Sequence, residues 1–317
     1  MYKIEKLNFL GNIFIQNQGK LILSNKSISK DKKEILLYEK NNQNDFELTF
    51  KFDIEIKKPI IYMLMLSNKL LLIAGYKFIL IYKKKDDNYL IYQNISDLDI
   101  SEIIKIKELN SGDFAICGNG GLVSFKHDNP RRKYLIDYNL DNNIVNDCGI
   151  IDFIKINEKE NYYFLGGVNG IYIINDKKII NQIKFDGFNT KSIDVKNYIC
   201  QFTNNIFIFC AGRYITIYNI SEHKNKQIKF LDENGGVNDN IFTSDKTSVY
   251  KYDINSIIIL SKKGIFIAQI FNNVEIQINL RINLDDNSHI NYLIYIEEEK
   301  SLYCKNVYKL KLNTKLK

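Results

Sequence analysis

Apolar residues in this chain come in short runs rich in Ile, Tyr, Phe and Val, separated by clusters of Asn, Asp, Gly and Lys. Runs of that make-up, bounded by turn formers, predict β-strands. No segment of about a dozen residues holds a 3.6-residue apolar period with a cap at each end, so no helix of ordinary length is predicted. The chain reads as all-β.

The runs repeat. A strand ends in Gly or another small residue, a tight turn follows, and a second strand closes on an aromatic or aliphatic residue. The pairs fall at 20–24 with 34–38, 70–75 with 78–82, 113–118 with 121–125, 162–167 with 170–174, 205–212 with 214–218, 256–261 with 264–268, and 301–304 with 306–310. Their closing residues, Tyr38, Tyr82, Phe125, Ile174, Tyr218, Ala268 and Leu310, lie 44, 43, 49, 44, 50 and 42 apart. That period matches the roughly 40–50 residues of a four-stranded propeller blade. Inner-strand candidates precede the pairs, as at 60–66, 103–106, 150–156 and 290–296. Outer-strand candidates follow the first six at 46–52, 89–92, 134–138, 179–185, 227–231 and 274–280. The seventh pair has no such follower, whereas residues 2–9 form a spare strand ahead of the first inner one at 12–16. Pairing the two would remove two exposed sheet edges. The expectation is one all-β domain over 1–317, a seven-bladed β-propeller of four-stranded antiparallel blades. Its blades fall at about 10–52, 54–93, 98–138, 144–185, 191–231, 241–280 and 288–317 plus 2–9, and the N-terminal strand closes the ring by pairing with the last blade.

The strand–Gly–strand unit resembles the WD-repeat family of β-propellers over essentially the whole chain. In that family the third strand ends in Trp-Asp and a Gly-His pair opens the repeat. Here Tyr38, Tyr82, Phe125 and Tyr218 stand at the Trp position, followed by Glu39, Lys83, Lys126 and Asn219. The Gly-His pairs are absent, so the family's Asp–His–Ser–Trp network does not carry over. The resemblance implies a propeller that serves as an interaction scaffold, and no particular subfamily.

Composition narrows the class. With 45% apolar and 26% charged residues the chain is that of a folded globular protein. No apolar run approaches the ~18–20 residues of a membrane span. Lys3, Glu5 and Lys6 stand where a signal peptide needs its apolar stretch. The five cysteines, Cys117, Cys148, Cys200, Cys210 and Cys304, include no CxxC pair. A reducing cytoplasmic or nuclear setting is expected. The formal charge of +7 rests on 40 Lys against 4 Arg. Abundant Lys, Asn and Ile are what an AT-rich genome encodes, which weakens that charge as a sign of an anionic partner.

No catalytic, cofactor-binding or metal-ligating set emerges, and no cofactor is expected. His127, His223 and His289 fall in three separate predicted loops and read as surface residues. Cys117, Cys210 and Cys304 share a strand-end slot with Ala74, Gly166 and, approximately, Ser261, which marks a small-residue packing position. The Gly-rich stretches 117–122 and 165–170 lack the GxxxxGK[ST] spacing and read as hairpin turns. Asp285-Asp286-Asn287 and Asp232-Glu233-Asn234 lack the length of an EF-hand loop. The inner strands read as mainly apolar, which argues against an enzyme or ligand site in a central channel.

Charge is the one functional pointer. Third-to-fourth-strand turns carry Lys83, Lys84, Lys85, Lys126, Arg131, Arg132, Lys177, Lys178, Lys224 and Lys226 against five acidic residues. Fourth-to-first connections carry Asp53, Glu55, Asp97, Asp99, Glu102, Asp141, Asp147, Asp186, Asp232, Glu233, Asp239, Asp285 and Asp286. A basic face opposite an acidic one could steer partners of opposite charge. The function expected is a non-catalytic scaffold, a subunit of a multiprotein assembly. The alternative is an adaptor to phosphoinositides, a membrane surface or RNA through the basic face.

Overall fold

The computed structural model describes residues 2–6, 12–16, 21–43, 45–96, 98–109, 112–145, 149–157, 162–167, 170–184, 199–211, 214–228, 248–261, 264–271, 275–282, 293–296, 301–304 and 308–312. Among them, seven four-stranded sheets form. Strand β1 (Tyr2–Lys6) leads the chain. The first sheet is β2 (Asn12–Gln16), β3 (Leu21–Ser27), β4 (Lys32–Lys40) and β5 (Phe46–Glu55), and the second is β6 (Ile60–Met65), β7 (Leu70–Gly75), β8 (Phe78–Lys85) and β9 (Asn88–Ser96). The third is β10 (Glu102–Glu108), β11 (Phe114–Asn119), β12 (Gly121–Asp128) and β13 (Lys133–Asp141), followed by the single turn α1 (Asn142–Val145). The fourth is β14 (Ile150–Asn157), β15 (Tyr162–Gly167), β16 (Gly170–Asn175) and β17 (Lys178–Lys184). Next come β18 (Ile199–Gln201), β19 (Ile206–Ala211), β20 (Tyr214–Asn219) and β21 (Lys224–Ile228), then β22 (Ser248–Lys251), β23 (Ser256–Ser261), β24 (Gly264–Phe271) and β25 (Glu275–Ile282). The last sheet has β26 (Leu293–Ile296), β27 (Ser301–Cys304) and β28 (Tyr308–Leu312), with β1 antiparallel to β28 from Tyr2 opposite Leu312 to Lys6 opposite Tyr308.

Two compact units result. One, Asn8–Gln182, holds the first four sheets but for the last two residues of β17, and the other joins Met1–Leu7 to Ile183–Lys317. In the first unit the inner strands neighbour one another in succession, β2 with β6, β6 with β10 and β10 with β14. In the second, third and fourth sheets the second strand is covered on both faces: β7 is buried at every position, and β11 and β15 at all but one. That double coverage explains why these strands read as unbroken apolar runs rather than alternating ones. Apolar layers fill the spaces between sheets, with Leu23, Met63 and Ile73 in one, Leu72, Ile81, Ile106 and Phe125 in the next, and Leu122, Phe153 and Tyr172 in the third. In the second unit Ile208, Ile217, Ile257 and Phe266 do the same. Each buried Leu, Ile or Phe contributes about 1.5–3 kcal/mol.

The repeat extends to irregularities. An extra residue bulges from the outer strand at the same place in four sheets, at Thr49, Tyr92, Asp137 and Asn279. A second bulge opens three inner strands, at Ile61, Ile104 and Ile151. The strand-ending glycine has a steric reason at Gly118, where a Cβ would collide with the carbonyl oxygen of Glu102 as the chain enters β10. Sheets two and three are also clamped at their outer strands. The Gln93 side chain donates to the Tyr134 carbonyl at 3.0 Å and accepts from the Tyr134 N–H at 2.7 Å. Strand β21 begins earlier than the predicted 227–231, because the turn after Asn219 is tight and closes through His223 at φ 52°.

Candidate functional site

Antiparallel order puts the first and third turns of a sheet at one end, and the second turn with the outgoing connection at the other. Lys83, Lys84 and Lys85 are the last residues of β8, exposed, with the Lys84 Nζ 4.7 Å from the Phe50 ring centre. Arg131 and Arg132 occupy the β12–β13 turn, Arg132 at φ 52° and the Arg131 Nε 3.5 Å from Asp128. Asp176 and Lys177 both have positive φ in the β16–β17 turn, and Lys178 opens β17. These basic residues stand at the corresponding end of three successive sheets. Lys224 and Lys226 lie within β21 rather than in a turn, with Lys224 3.6 Å from Glu222.

The opposite end is mixed in the first two sheets. Asp53 and Glu55 belong to β5, and Asp53 is paired with Lys32 at 2.6 Å. Exposed Lys30, Lys57, Lys58 and Lys77 sit at this end too. Asp99 is exposed before β10, and Glu102 is its first residue. Asp97, Asp147, Asp186, Asp232, Glu233, Asp239, Asp285 and Asp286 lie outside the described residues, as do all of residues 232–240 and His289.

The inner strands are expected to be mainly apolar, which β6 is and β10 is not. Directly after the inner bulge stand Tyr62, Lys105 and Asp152, at one equivalent place in sheets two, three and four. Each faces a small residue across the strand pair, namely Ala74, Cys117 and Gly166. The sixth sheet exchanges the sizes, with Ser248 on the inner strand opposite Leu260, so the slot falls at Leu260 and not at Ser261. The small-residue slot therefore makes room for a larger inner side chain.

Asp152 is wholly buried. Its carboxylate accepts from Lys105 at 3.0 Å, from Lys107 at 2.7 Å and from the Phe153 N–H at 2.8 Å. Lys107 also donates to the Phe153 carbonyl at 2.5 Å, with its cation 5.3 Å from the Phe153 ring. Burial pushes the Lys105 ammonium down to about 8, against the pull of Asp152. Burial alone would raise the Asp152 carboxyl, but Lys105 and Lys107 outweigh it and hold it at about 2. Burial, reinforced by the Asp152 charge, drives the Cys117 thiol and the Tyr62 hydroxyl well above their ordinary values. Cys117 is thus a packing residue and no nucleophile. The sequence did carry a signal for this cluster: Ile103-Ile104-Lys105 and Ile150-Ile151-Asp152 place opposite charges at the same step of two repeats.

His127 also departs from expectation. It lies in β12, and its ring joins the Tyr92 hydroxyl (Nε2, 2.9 Å) to the Asn129 Oδ1 (Nδ1, 2.7 Å) edge-on to Tyr134. The Tyr134 hydroxyl donates to the Gly112 carbonyl at 2.7 Å and accepts from Asn68 at 2.9 Å. His223 sits in its turn with Nδ1 3.4 Å from the Tyr218 hydroxyl.

Two clefts separate sheets of the first unit. One of about 790 Å³ lies between the first and second sheets, and its bulge residue Thr49 donates to the Leu37 carbonyl at 3.3 Å. The other, about 310 Å³, lies between the third and fourth, where Glu108, Asp113, Ser124, Asp137 and Lys155 line it. Ser124 Oγ and the Tyr163 hydroxyl behind it are buried side by side, and neither meets another hydrogen-bond partner among the described residues. Burial pushes the Tyr163 hydroxyl up to about 12, moderated by the nearby Ser124 side chain. Leaving such groups unsatisfied costs about 1–3 kcal/mol each. Among the described residues no group of three His, Cys, Asp or Glu could hold a metal ion, and no helix is long and apolar enough to cross a membrane.

No family profile and no curated protein matches the sequence. Solved structures do resemble it. A WD40 propeller from a crystal structure of the mitotic checkpoint complex superposes with a TM-score of 0.68 at 9% identity, covering 98% of this chain and 91% of its own. The chain has the β-propeller fold. An extracellular domain assigned to a hybrid two-component system of Bacteroides thetaiotaomicron gives 0.59 at 14% identity, over 100% of this propeller and 40% of that chain. A Bacteroides fragilis chain assigned as a 6-phosphogluconolactonase gives 0.51 at 10% identity, over 86% and 82%. At these identities the likeness concerns the fold of the propeller, which hosts unrelated activities.

Proposed function

We propose that this propeller is a non-catalytic docking platform, a WD-repeat-like subunit of a larger protein assembly, acting in the cytoplasm or nucleus. Its seven sheets are read as the blades of one domain, closed by β1 against β28. The observation that carries this reading is the likeness, along nearly the whole chain, to a propeller crystallised inside a multiprotein complex. The inner-strand polar cluster fits it as well. Asp152 is saturated by two ammonium groups and a backbone N–H, an arrangement that fixes neighbouring sheets.

The mechanism is geometric. Stiff sheets hold exposed turns, and the partner-binding candidates are Lys83, Lys84, Lys85, Arg131, Arg132, Lys177 and Lys178 on the basic end. Asp97, Asp99, Asp232, Glu233, Asp285 and Asp286 are the acidic candidates. Reversing Lys83, Lys84, Lys85, Arg131 and Arg132 to Glu should leave the far-UV circular dichroism spectrum unchanged and abolish at least one native association. Retention of every native partner would refute a role for the basic end. Because these cations are exposed, the same variant also tests the adaptor reading, in which wild type binds anionic vesicles or RNA in a salt-sensitive way and recovers no protein.

A further inference from the structure

We infer that the cleft between the third and fourth sheets receives an arginine side chain from a protein partner, in a segment acidic on either side of that arginine. This deepens the docking reading and rests on it.

Four observations combine. The outer-strand bulge of β13 presents the exposed Asp137, and the cleft includes this carboxylate in its lining. Bulges re-aim side chains. At the equivalent place Thr49 is bound to its own sheet and Tyr92 to His127, whereas Asp137 has no hydrogen-bond or ion-pair partner among the described residues. Second, the cleft's charge is negative. Of its lysines, Lys107 is paired with Asp152, which leaves Lys155 against three carboxylates, Glu108 and Asp113, each accepting from a backbone N–H (of Ser67 and His127), and Asp137. Third, Ser124 Oγ lines the cleft, 1% exposed, with only the Tyr163 hydroxyl beside it, so an oxygen lone pair is left over for a donor from outside. A guanidinium supplies five donors in a planar fork and suits a carboxylate with a hydroxyl beside it better than a single ammonium would. The space, about 310 Å³, is at the small end for ligand sites and fits a side chain rather than a cofactor.

The fourth observation concerns the flanks. Lys126, Arg131 and Arg132 on the third sheet and Lys177 and Lys178 on the fourth are exposed at the turns of the two sheets that bound the cleft. A lone cation would be repelled by them. An arginine between acidic residues complements both the cleft and its surroundings.

The probe is an acetylated Glu-Glu-Arg-Glu-Glu amide titrated into the full chain by isothermal calorimetry, with citrulline in place of arginine as the neutral isostere. Binding should fall about tenfold or more with citrulline, and by a similar factor in Asp137→Asn, whose exposed position keeps the thermal midpoint unchanged. Ser124→Ala should weaken it by about threefold. Equal binding of the citrulline peptide, no binding of either, or an Asp137→Asn protein that binds as wild type would overturn the inference. Co-purification separates it from the broader reading. If wild type recovers protein partners and Asp137→Asn retains them all, the cleft assignment fails and the platform survives. If wild type recovers none, the platform itself fails.

Discussion

Asp152 is the residue on which most depends in the first unit, because two lysines and a backbone amide converge on it in a buried place. A buried pair adds little over a well-packed apolar pair, but removing one member strands the other charge. Asp152→Ala should therefore cost about 3–5 kcal/mol in urea unfolding, while Lys105→Met and Lys107→Met combined with Asp152→Leu should recover most of that loss. The pH dependence has a definite sign. Asp152 is held at about 2, below its unfolded value near 4, so its contribution is complete above about pH 4 and drains as pH falls toward 2. Lys105 is held at about 8 against 10.5, so the unfolded chain binds more protons there and stability rises as pH climbs through that range. Urea midpoints from pH 6 down to pH 2.5 should fall more steeply for wild type than for Asp152→Asn. Parallel curves would mean that Asp152 titrates alike folded and unfolded.

At the scale of strands and sheets, stability resides in close backbone approaches and in clamps between neighbours. Gly118→Ala drives a Cβ into the Glu102 carbonyl, so the entry to β10 must move, at a cost of about 2 kcal/mol or more. Gln93→Ala removes both bonds to the Tyr134 backbone and should cost about 1–2 kcal/mol. Equilibrium denaturation measures both, and a neutral Gln93→Ala would show that solvent replaces the clamp. Strands were legible in the sequence where turn formers cut apolar runs sharply: β7, β15, β23 and β27 run over the residues that the pattern marks. Outer strands run longer than their apolar stretch, as in Asn88–Ser96 against 89–92, because a half-exposed strand needs no apolar residue to keep its hydrogen bonds. The candidate sites were less legible. Lys105 and Asp152 hid inside isoleucine runs since a paired charge sits in a core as an apolar residue does, and a bulge such as that at Asp137 depends on register, which composition does not encode.

Over the whole molecule, the proposed ring depends on one short strand. Removing residues 1–7 would expose the β28 edge and forfeit the β1–β28 ladder, lowering stability by about 3 kcal/mol or more and promoting association through the bare edge. Calorimetry and light scattering on the truncated chain would register this, and an unchanged, monomeric protein would argue against closure. Rigidity matters because the proposed function consists of presenting fixed surfaces. The measurement that reaches this claim most directly is crosslinking mass spectrometry on the tagged protein recovered gently from its own cells. The docking account predicts reproducible crosslinks from Lys83, Lys84, Lys85, Lys177 or Lys178 to a small, defined set of proteins. Recovery of the chain as a bare monomer, with no crosslinked partner, would contradict it.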